Sequence, residues 1–180
     1  RSRDSGIGNM ELNYQQQHCA MTLREGIDEY RAYLAAIDRK VMQDAAGSRL
    51  LLEHDATHVL FGMDTSLEQE AGLDSWLFFG CQWRLSYIRA YGKLPQIKAL
   101  YRALIKEFGW RGLPRLYWKT LKLKWRVFVR SRSMLKKWPY QFPDPWLDRP
   151  IDELRREHGL VILNERERAT GEPLYWSGNY

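Results

Sequence analysis

With 180 residues and a net charge of +6, the chain is predicted to form one domain, residues 1–180, large enough to bury a core. No apolar stretch approaches the roughly 20 residues needed to cross a bilayer, and two cysteines, Cys19 and Cys81, favour a reducing, cytoplasmic setting over a disulfide framework. The charge is uneven, because residues 89–137 hold fifteen basic residues and one acid, Glu107.

The first helix is predicted to begin at Thr22, which forms a capping-box pattern with Glu25. The polar, aperiodic residues 1–20 before it are predicted to be a loosely attached lead-in. Apolar residues then recur in steps of three and four, the pattern of a helix that packs along a neighbour: Leu23, Ile27, Tyr30, Leu34, Ile37 and Val41. Gly47 and Ser48 are expected to end this helix.

Residues 50–72 are predicted to form a helix, a turn at Gly62 and a second helix. His54 and His58 are four residues apart, so they lie one turn above the other on the same face. If the second helix folds back, it presents Glu70 to both imidazoles. Two histidines and one carboxylate leave coordination positions open, as catalytic metal sites require.

The second helix of this hairpin is predicted to start at Thr65, which forms a capping-box pattern with Glu68. Two further carboxylates are candidates for the site. Asp55 could orient a histidine, bind the ion directly or act as a base. Asp74, one turn beyond Glu70, is a reserve ligand.

This second helix is expected to run from about residue 66 to 91, and its middle is apolar on almost every side. Two interpretations remain open: the helix lies at the centre of the core, or it lines an apolar cavity for a long lipid. The second interpretation assigns lipid binding to Trp76, Leu77, Phe79, Gly80 and Trp83.

A basic and aromatic segment follows Pro95, with a break at 109–114 and a further helix from about 115 to 134. Tryptophans interleaved with cations are typical of an anionic membrane surface. The residues assigned to that surface are Trp118, Lys122, Trp125 and Arg126. Nucleic acid is the less favoured partner, because no recognition-helix, RNA-binding-sheet or zinc-finger signature is present; a solvated cationic face is the third alternative.

The C-terminal part is predicted to contain a loop at 137–145, a short helix at about 149–157 and a loosely attached tail at 164–180. Asp148 is the expected N-cap of that helix, and Gly159 is its expected stop. The fold class is therefore all-α, with about six helices and the metal-binding hairpin near the centre.

The hairpin sequence, H-D-x-x-H followed by eleven residues and Glu, resembles the signature of the Coq-four family of ubiquinone-biosynthesis proteins. Gly62, Met63 and Thr65 also match it, whereas Asp64 stands where family members commonly carry proline. The resemblance extends more weakly over residues 22–163 and includes the stretch IDELRREHGL at 151–160.

This resemblance implies a peripheral membrane metalloprotein of coenzyme Q biosynthesis that binds a polyprenylated quinone precursor and works with other quinone-biosynthesis proteins. It would organise their complex or remove the ring carboxylate with oxidation at that carbon. His54, His58 and Glu70 would hold a divalent ion, with Zn²⁺ favoured and Mg²⁺ or a redox metal as alternatives, and Asp55 would orient a ligand or accept a proton. The alternative functions are a metal-dependent hydrolase of isoprenyl phosphates and a noncatalytic isoprenoid-lipid-binding scaffold.

Overall fold

Helices make up most of the chain, and the fold is all-α as predicted. The computed structural model describes residues 11–39, 41, 43–44, 46–83, 89, 92–93 and 95–171. Its helices are α1 (Leu23–Ala36), α2 (Leu50–Phe61), α3 (Leu67–Gly80), α4 (Pro95–Arg132), α5 (Ile151–His158) and α6 (Glu165–Arg168). Short 3₁₀ helices occur at Asn13–Gln15 and Asp144–Asp148, and β1 (Cys81–Gln82) pairs in parallel with β2 (Trp138–Pro139).

The predicted capping box starts α1: the Thr22 hydroxyl accepts from the backbone N–H of Glu25, and the Glu25 carboxylate accepts from that of Thr22. The helix ends at Ala36, however, so Val41 lies beyond it and not on its apolar stripe. Asp44 follows in the connection, and its carboxylate accepts from the first two N–H groups of α2 after Leu50, each at 2.9 Å. This side chain fixes where α2 begins.

The turn between α2 and α3 forms at Gly62 as predicted, because this residue caps α2 in the left-handed conformation (φ 67°) that glycine adopts without strain. The N-cap of α3 is Ser66, not Thr65, since the Ser66 hydroxyl accepts from the N–H of Gln69. The helix also stops at Gly80, well before the predicted end near residue 91. There the chain becomes β1 and pairs with β2; the remainder of the prediction, at 84–88 and 90–91, lies outside the described residues.

Helix α4 is continuous except at Gly109, where φ 64° and ψ 177° break the helical geometry. The predicted interruption at 109–114 is therefore confined to one residue, and Pro114 lies inside the second half. Leu123 and Val127 of that half are fully buried in the core. No helix among the described residues is both long and apolar enough to cross a membrane.

The described part of the predicted loose lead-in is held firmly, which corrects that prediction for 11–20. Leu12, Tyr14 and Cys19 are buried. The fully buried Arg155 of α5 donates to the carbonyl of Tyr14 at 2.6 Å and to that of Gln16 at 2.5 Å. Because the carbonyl of Tyr14 is buried and needs a partner inside the protein, the guanidinium ties the segment to the core.

Residues 164–171 also pack against the rest of the fold, so the prediction of a loosely attached tail is wrong for this part. Asn164 caps α6 through a capping box with Glu167, and the buried Arg168 donates to the carbonyl of Leu163 at 2.5 Å. The outer parts of both predictions, 1–10 and 172–180, lie outside the described residues. Helix α5 ends at Gly159 as predicted, but it begins at Ile151 behind Pro150, because Asp148 is engaged elsewhere, in an ion pair with Arg24.

Candidate metal centre

Helices α2 and α3 bring His54, His58 and Glu70 to one place. One ligand atom from each residue lies within 4.8 Å of the other two. The Nε2 atom of His58 is 3.4 Å from Oε1 of Glu70, and the two imidazole rings are 4.9 Å apart at an angle of 72°. The i, i+4 spacing on α2 sets the histidine pair, and the left-handed turn at Gly62 returns the chain so that the first turn of α3 faces them.

His58 is held as a metal ligand requires. Its Nδ1 atom lies 3.3 Å from the carbonyl oxygen of Met63, so Nδ1–H donates there and the lone pair of Nε2 points toward Glu70. Nε2 is buried and makes no hydrogen bond to the described residues. The ring of Tyr30 stacks on the imidazole with centroids 4.6 Å apart and an interplanar angle of 20°. One ring nitrogen is thus fixed and the other is left for a ligand.

Both histidines are neutral near pH 7. Burial lowers the pKa of His54 to about 4, and burial together with the neighbouring His54 lowers the pKa of His58 well below its ordinary value. A neutral imidazole keeps the lone pair that binds a metal ion. The centre therefore needs no proton removed from either histidine before it can bind a cation.

Glu70 lies on the solvent-facing side of the cluster, where its side chain keeps 36% of its surface exposed. Its pKa is raised well above the ordinary range by burial, and further by the negative charges of Asp74 and Asp64. Glu70 therefore holds a proton more tightly than an ordinary carboxylate does, and an ion that binds to the cluster competes with that proton.

Asp55 and Asp74, the other predicted candidates, do not belong to this cluster of ligand atoms. The Asp55 carboxylate binds the guanidinium of Arg31 on α1 at 2.7 Å. Burial nevertheless raises the pKa of Asp55 to about 6, with the charge of Arg31 acting in the opposite direction. Asp74 is exposed one turn along α3. The ion pair joins α2 to α1 from outside the cluster, and the three roles predicted for Asp55 stay predictions.

The residues predicted to bind lipid do not form one surface. Trp76 is fully buried and stacks on Phe61 with centroids 4.7 Å apart, and Gly80 is buried against both rings. These two positions lie in the core because α3 packs against α2 and α4, and their assignment to lipid binding stays a prediction. Leu77 and Phe79 are half-buried, and Trp83 is exposed over 36% of its surface.

The predicted membrane-surface residues also divide. Trp118, Lys122 and Trp125 are exposed on α4. Arg126 is turned away from them and donates to the carbonyl of Glu167 at 2.6 Å. It therefore joins α4 to α6, and its assignment to a membrane surface stays a prediction.

Sequence reasoning missed the groups that hold the ligands. Tyr30 belongs to the apolar stripe predicted for α1, but this periodicity does not show that its ring stacks on His58. Asp64 and Gln69 bracket the turn: the N–H of Asp64 donates to Oε1 of Gln69 at 3.0 Å, and Nε2 of Gln69 donates back to Oδ2 of Asp64 at 2.6 Å. Hydrogen bonding by an aspartate side chain at a turn can be predicted from sequence. The connection of this turn to His58, through the carbonyl of Met63, depends on the folded structure and cannot be predicted in this way.

Comparison with protein-family models, curated proteins and solved structures finds no match to this chain. The geometry of the His54–His58–Glu70 cluster and the local sequence signature are therefore the two observations that bear on function.

Proposed function

We propose that the protein is a metal-dependent protein of ubiquinone or related prenylquinone biosynthesis. It binds the head group of a polyprenylated precursor and processes it by oxidative loss of the ring carboxylate. The observation that carries this proposal is the clustering of His54, His58 and Glu70 on a helix hairpin whose sequence resembles the Coq-four signature.

The residues fit a divalent ion. The buried Nε2 atom of His58 has no hydrogen-bond partner among the described residues, which is uncommon for a buried polar atom and is explained by a ligand. Two imidazoles and one carboxylate suit Zn²⁺ or a redox metal such as Fe²⁺ better than Mg²⁺, which prefers oxygen ligands. Three protein ligands leave positions for water or substrate.

When bound, the ion would polarise the carboxylate head of the precursor or activate water or oxygen beside it. The chain's own residues would hold this arrangement. Met63 and Tyr30 fix the imidazole of His58, so the ligand does not rotate as the substrate enters. Glu70 releases its proton on the exposed side of the cluster, where a head group also has access. Asp55 stays paired with Arg31 and anchors α2 to α1.

The test is an assay with purified protein, a divalent metal, dioxygen as oxidant and a polyprenylated 4-hydroxybenzoate. Replacement of the ring carboxylate by a hydroxyl is a two-electron oxidation, so with water as the source of the hydroxyl oxygen, dioxygen is reduced to hydrogen peroxide. Release of carbon dioxide, gain of the ring hydroxyl and formation of hydrogen peroxide are measured together. We expect turnover that requires the metal and is lost in Glu70→Gln, which keeps the side-chain shape but removes the charge. No conversion with Zn²⁺, Mn²⁺ or Fe²⁺ would remove the enzymatic claim.

The same samples distinguish the alternative functions. Release of inorganic phosphate from an isoprenyl phosphate would identify a hydrolase. Native mass spectrometry that finds a retained isoprenoid lipid, together with no turnover of either compound, would identify a scaffold. Either result would replace the decarboxylation that we propose.

A further inference from the structure

Helix α4 turns a corner at Gly109, so its first half does not continue the line of its second half. Gly109 adopts φ 64° and ψ 177°, a combination that is essentially restricted to glycine. A Cβ atom on Gly112 would lie 2.4 Å from Cβ of Phe108, whereas residues four apart in a continuous helix keep their Cβ atoms about 5–6 Å apart. Residues 95–108 therefore form a separate helical segment, the arm.

The second half of α4 is fastened to the body of the protein. Leu123 and Val127 are fully buried, and Lys119 pairs with the buried Glu68 of α3 at 2.9 Å. A Cβ atom on Gly72 would lie 3.0 Å from Cδ2 of Leu123, so this half of α4 lies directly against α3. Its position is set by core packing.

The arm is held less firmly. Ile97 is buried, and it is the one buried side chain among those of the arm that the structure describes. Three apolar residues on the same side are half-buried: Leu104, Ile105 and Phe108. The opposite side is exposed and carries cations that take part in no ion pair with the described residues: Lys98, Arg102 and Lys106. A segment with so little buried surface moves more readily than the core.

The corner at Gly109 brings the arm back toward the exposed side of the candidate metal centre. Partial burial raises the pKa of Tyr101, and the negative charges of Asp74 and Glu70 raise it further. Charges act on a pKa in this way over a few ångströms. In a straight helix Tyr101 would lie roughly 27 Å from Lys119, which contacts the first turn of α3. The bend thus places Tyr101 beside the same stretch of α3.

A cleft remains open between the arm and α3. Tyr101 leaves 56% of its surface in solvent, Asp74 is exposed, and the side chain of Glu70 keeps 36% of its surface exposed. The arm therefore stands beside the opening of the cluster without covering it.

We propose that the arm is a lid that turns about Gly109 and closes over the His54–His58–Glu70 cluster when a substrate head group is bound. Closure carries Tyr101 across the cleft and brings the apolar side of the arm against α3, which excludes water from the reacting atoms. A glycine in open space can absorb the change in φ and ψ. The inference rests on the proposed metal centre for what the lid covers, but the movement of the arm can be measured without metal.

Disulfide formation in metal-free protein tests whether the arm reaches α3. Tyr101→Cys combined with Asp74→Cys should cross-link under oxidising conditions, because thiols bridge when their Cα atoms come within about 7 Å. The matched control, Arg102→Cys with Asp74→Cys, places the thiol on the outer side of the arm and should cross-link at least about tenfold more slowly. Cys19 and Cys81 are buried and give the same background in both proteins. Equal rates for the two pairs would overturn the proposal.

Gly109→Ala tests the hinge in the same cross-linking protein. Alanine is strained at φ 64° and ψ 177°, so the variant favours a straight α4 and should cross-link about tenfold more slowly. Gly171→Ala is the matched control, because Gly171 also has a positive φ (84°) and open space around it, and it should leave the rate unchanged. An unchanged rate in Gly109→Ala would contradict a hinge at this residue.

Zinc release tests what the lid covers. In the zinc-loaded Tyr101→Cys, Asp74→Cys protein, oxidation should slow the transfer of zinc to EDTA by about tenfold, and a reductant should restore the rate. Equal rates in the oxidised and reduced protein would overturn closure over the cluster. The two claims fail separately, since absence of zinc binding by the wild type contradicts the metal centre, whereas absence of selective cross-linking contradicts the lid.

Discussion

His58 shows how single residues build the candidate centre. Its Nδ1–H is held by the carbonyl of Met63, its ring is covered by Tyr30, and its Nε2 atom points toward Glu70. None of these contacts is conspicuous alone. Together they fix the tautomer, the ring plane and the direction of the free lone pair, which are the three properties that a histidine ligand needs.

We predict that the centre releases one proton for each ion that it binds at neutral pH. The lowered pKa values of His54 and His58 keep both imidazoles unprotonated, whereas the raised pKa of Glu70 keeps its carboxyl protonated. Metal affinity should therefore rise with pH until the raised pKa of Glu70 is passed. Calorimetry of zinc binding in buffers of different ionisation enthalpy counts the protons. Release of no proton would contradict the prediction, because it would show that Glu70 is already ionised in the empty protein.

Asp64 is predicted to position the centre without touching an ion. In Asp64→Ala the turn loses the two bonds that the Asp64 carboxylate accepts, from Nε2 of Gln69 and from the N–H of Ser66, so the neighbouring Met63 carbonyl is less well fixed against His58. We expect zinc affinity to fall about 10- to 100-fold, the usual effect of losing an outer-shell partner. Asp64→Asn retains an acceptor for the N–H of Ser66 and should recover part of the affinity. Equal losses in both variants would contradict this role.

At this scale the sequence predicted which three residues lie together, but not the groups that hold them in place. The spacing of His54, His58 and Glu70 is a local property of two helices and a turn, so it can be read directly. The stacking of Tyr30 and the pairing of Asp55 with Arg31 depend on how α1 packs against α2, which local periodicity does not specify.

Among the helices, the close approach of α1 to α2 holds the site together. Gly26 permits it, because a Cβ atom at this position would lie 2.5 Å from Cγ1 of Val59 and 2.8 Å from Cδ1 of Ile151. The following turn of α1 carries Tyr30 and Arg31 to their partners on α2. The packing of these two helices thus sets the environment of the histidines.

Gly26→Ala should destabilise the protein by about 1–2 kcal/mol. Overpacking of this kind typically costs 1–3 kcal/mol, and alanine's better helix propensity offsets at most about 1 kcal/mol. Urea unfolding measures the change. Val59→Ala removes the closer of the two clashing atoms, so the double variant should be more stable than the sum of the single effects predicts, with a coupling energy of about 1 kcal/mol. Additive effects would show that the two positions do not meet.

The helices and those of their ends that are capped by nearby residues were predictable, whereas the ends set by distant contacts were not. Thr22, Gly62 and Gly159 act as expected because their capping is local. Helix α3 ends at Gly80 and not near residue 91, because Cys81 and Gln82 pair with Trp138 and Pro139 from a distant part of the chain. The continuous apolar sequence that begins in α3 does not indicate this helix end, because the residues that pair with Cys81 and Gln82 are distant in sequence.

At the scale of the whole molecule, Arg155 connects parts of the chain that are far apart in sequence. Its guanidinium donates to the carbonyls of Val59 and Leu60 at the end of α2, at 2.9 and 2.8 Å, as well as to those of Tyr14 and Gln16. The last carbonyls of a helix have no partner within it. One buried cation thereby satisfies the end of α2 and holds residues 11–20 beside it.

Arg155→Lys should lower the free energy of unfolding by about 3 kcal/mol. A lysine keeps the charge but cannot reach carbonyls on both sides, and each buried acceptor left without a partner costs about 1–3 kcal/mol. Urea unfolding gives the stability, and limited proteolysis should show new cleavage within 11–20. The exposed Arg156 is the matched control, and Arg156→Lys should change neither measurement. A loss below about 1 kcal/mol in Arg155→Lys would contradict this account.

Zinc binding by the intact chain tests the central claim most directly. Calorimetry should find one ion per chain for the wild-type protein and an affinity about 100-fold weaker for Glu70→Gln, which lacks one of the three ligands. Asp74→Asn removes a carboxylate one turn away on the same helix and should bind zinc as the wild type does. No zinc binding by the wild-type protein, or equal affinities in the wild type and Glu70→Gln, would contradict a metal centre at His54, His58 and Glu70.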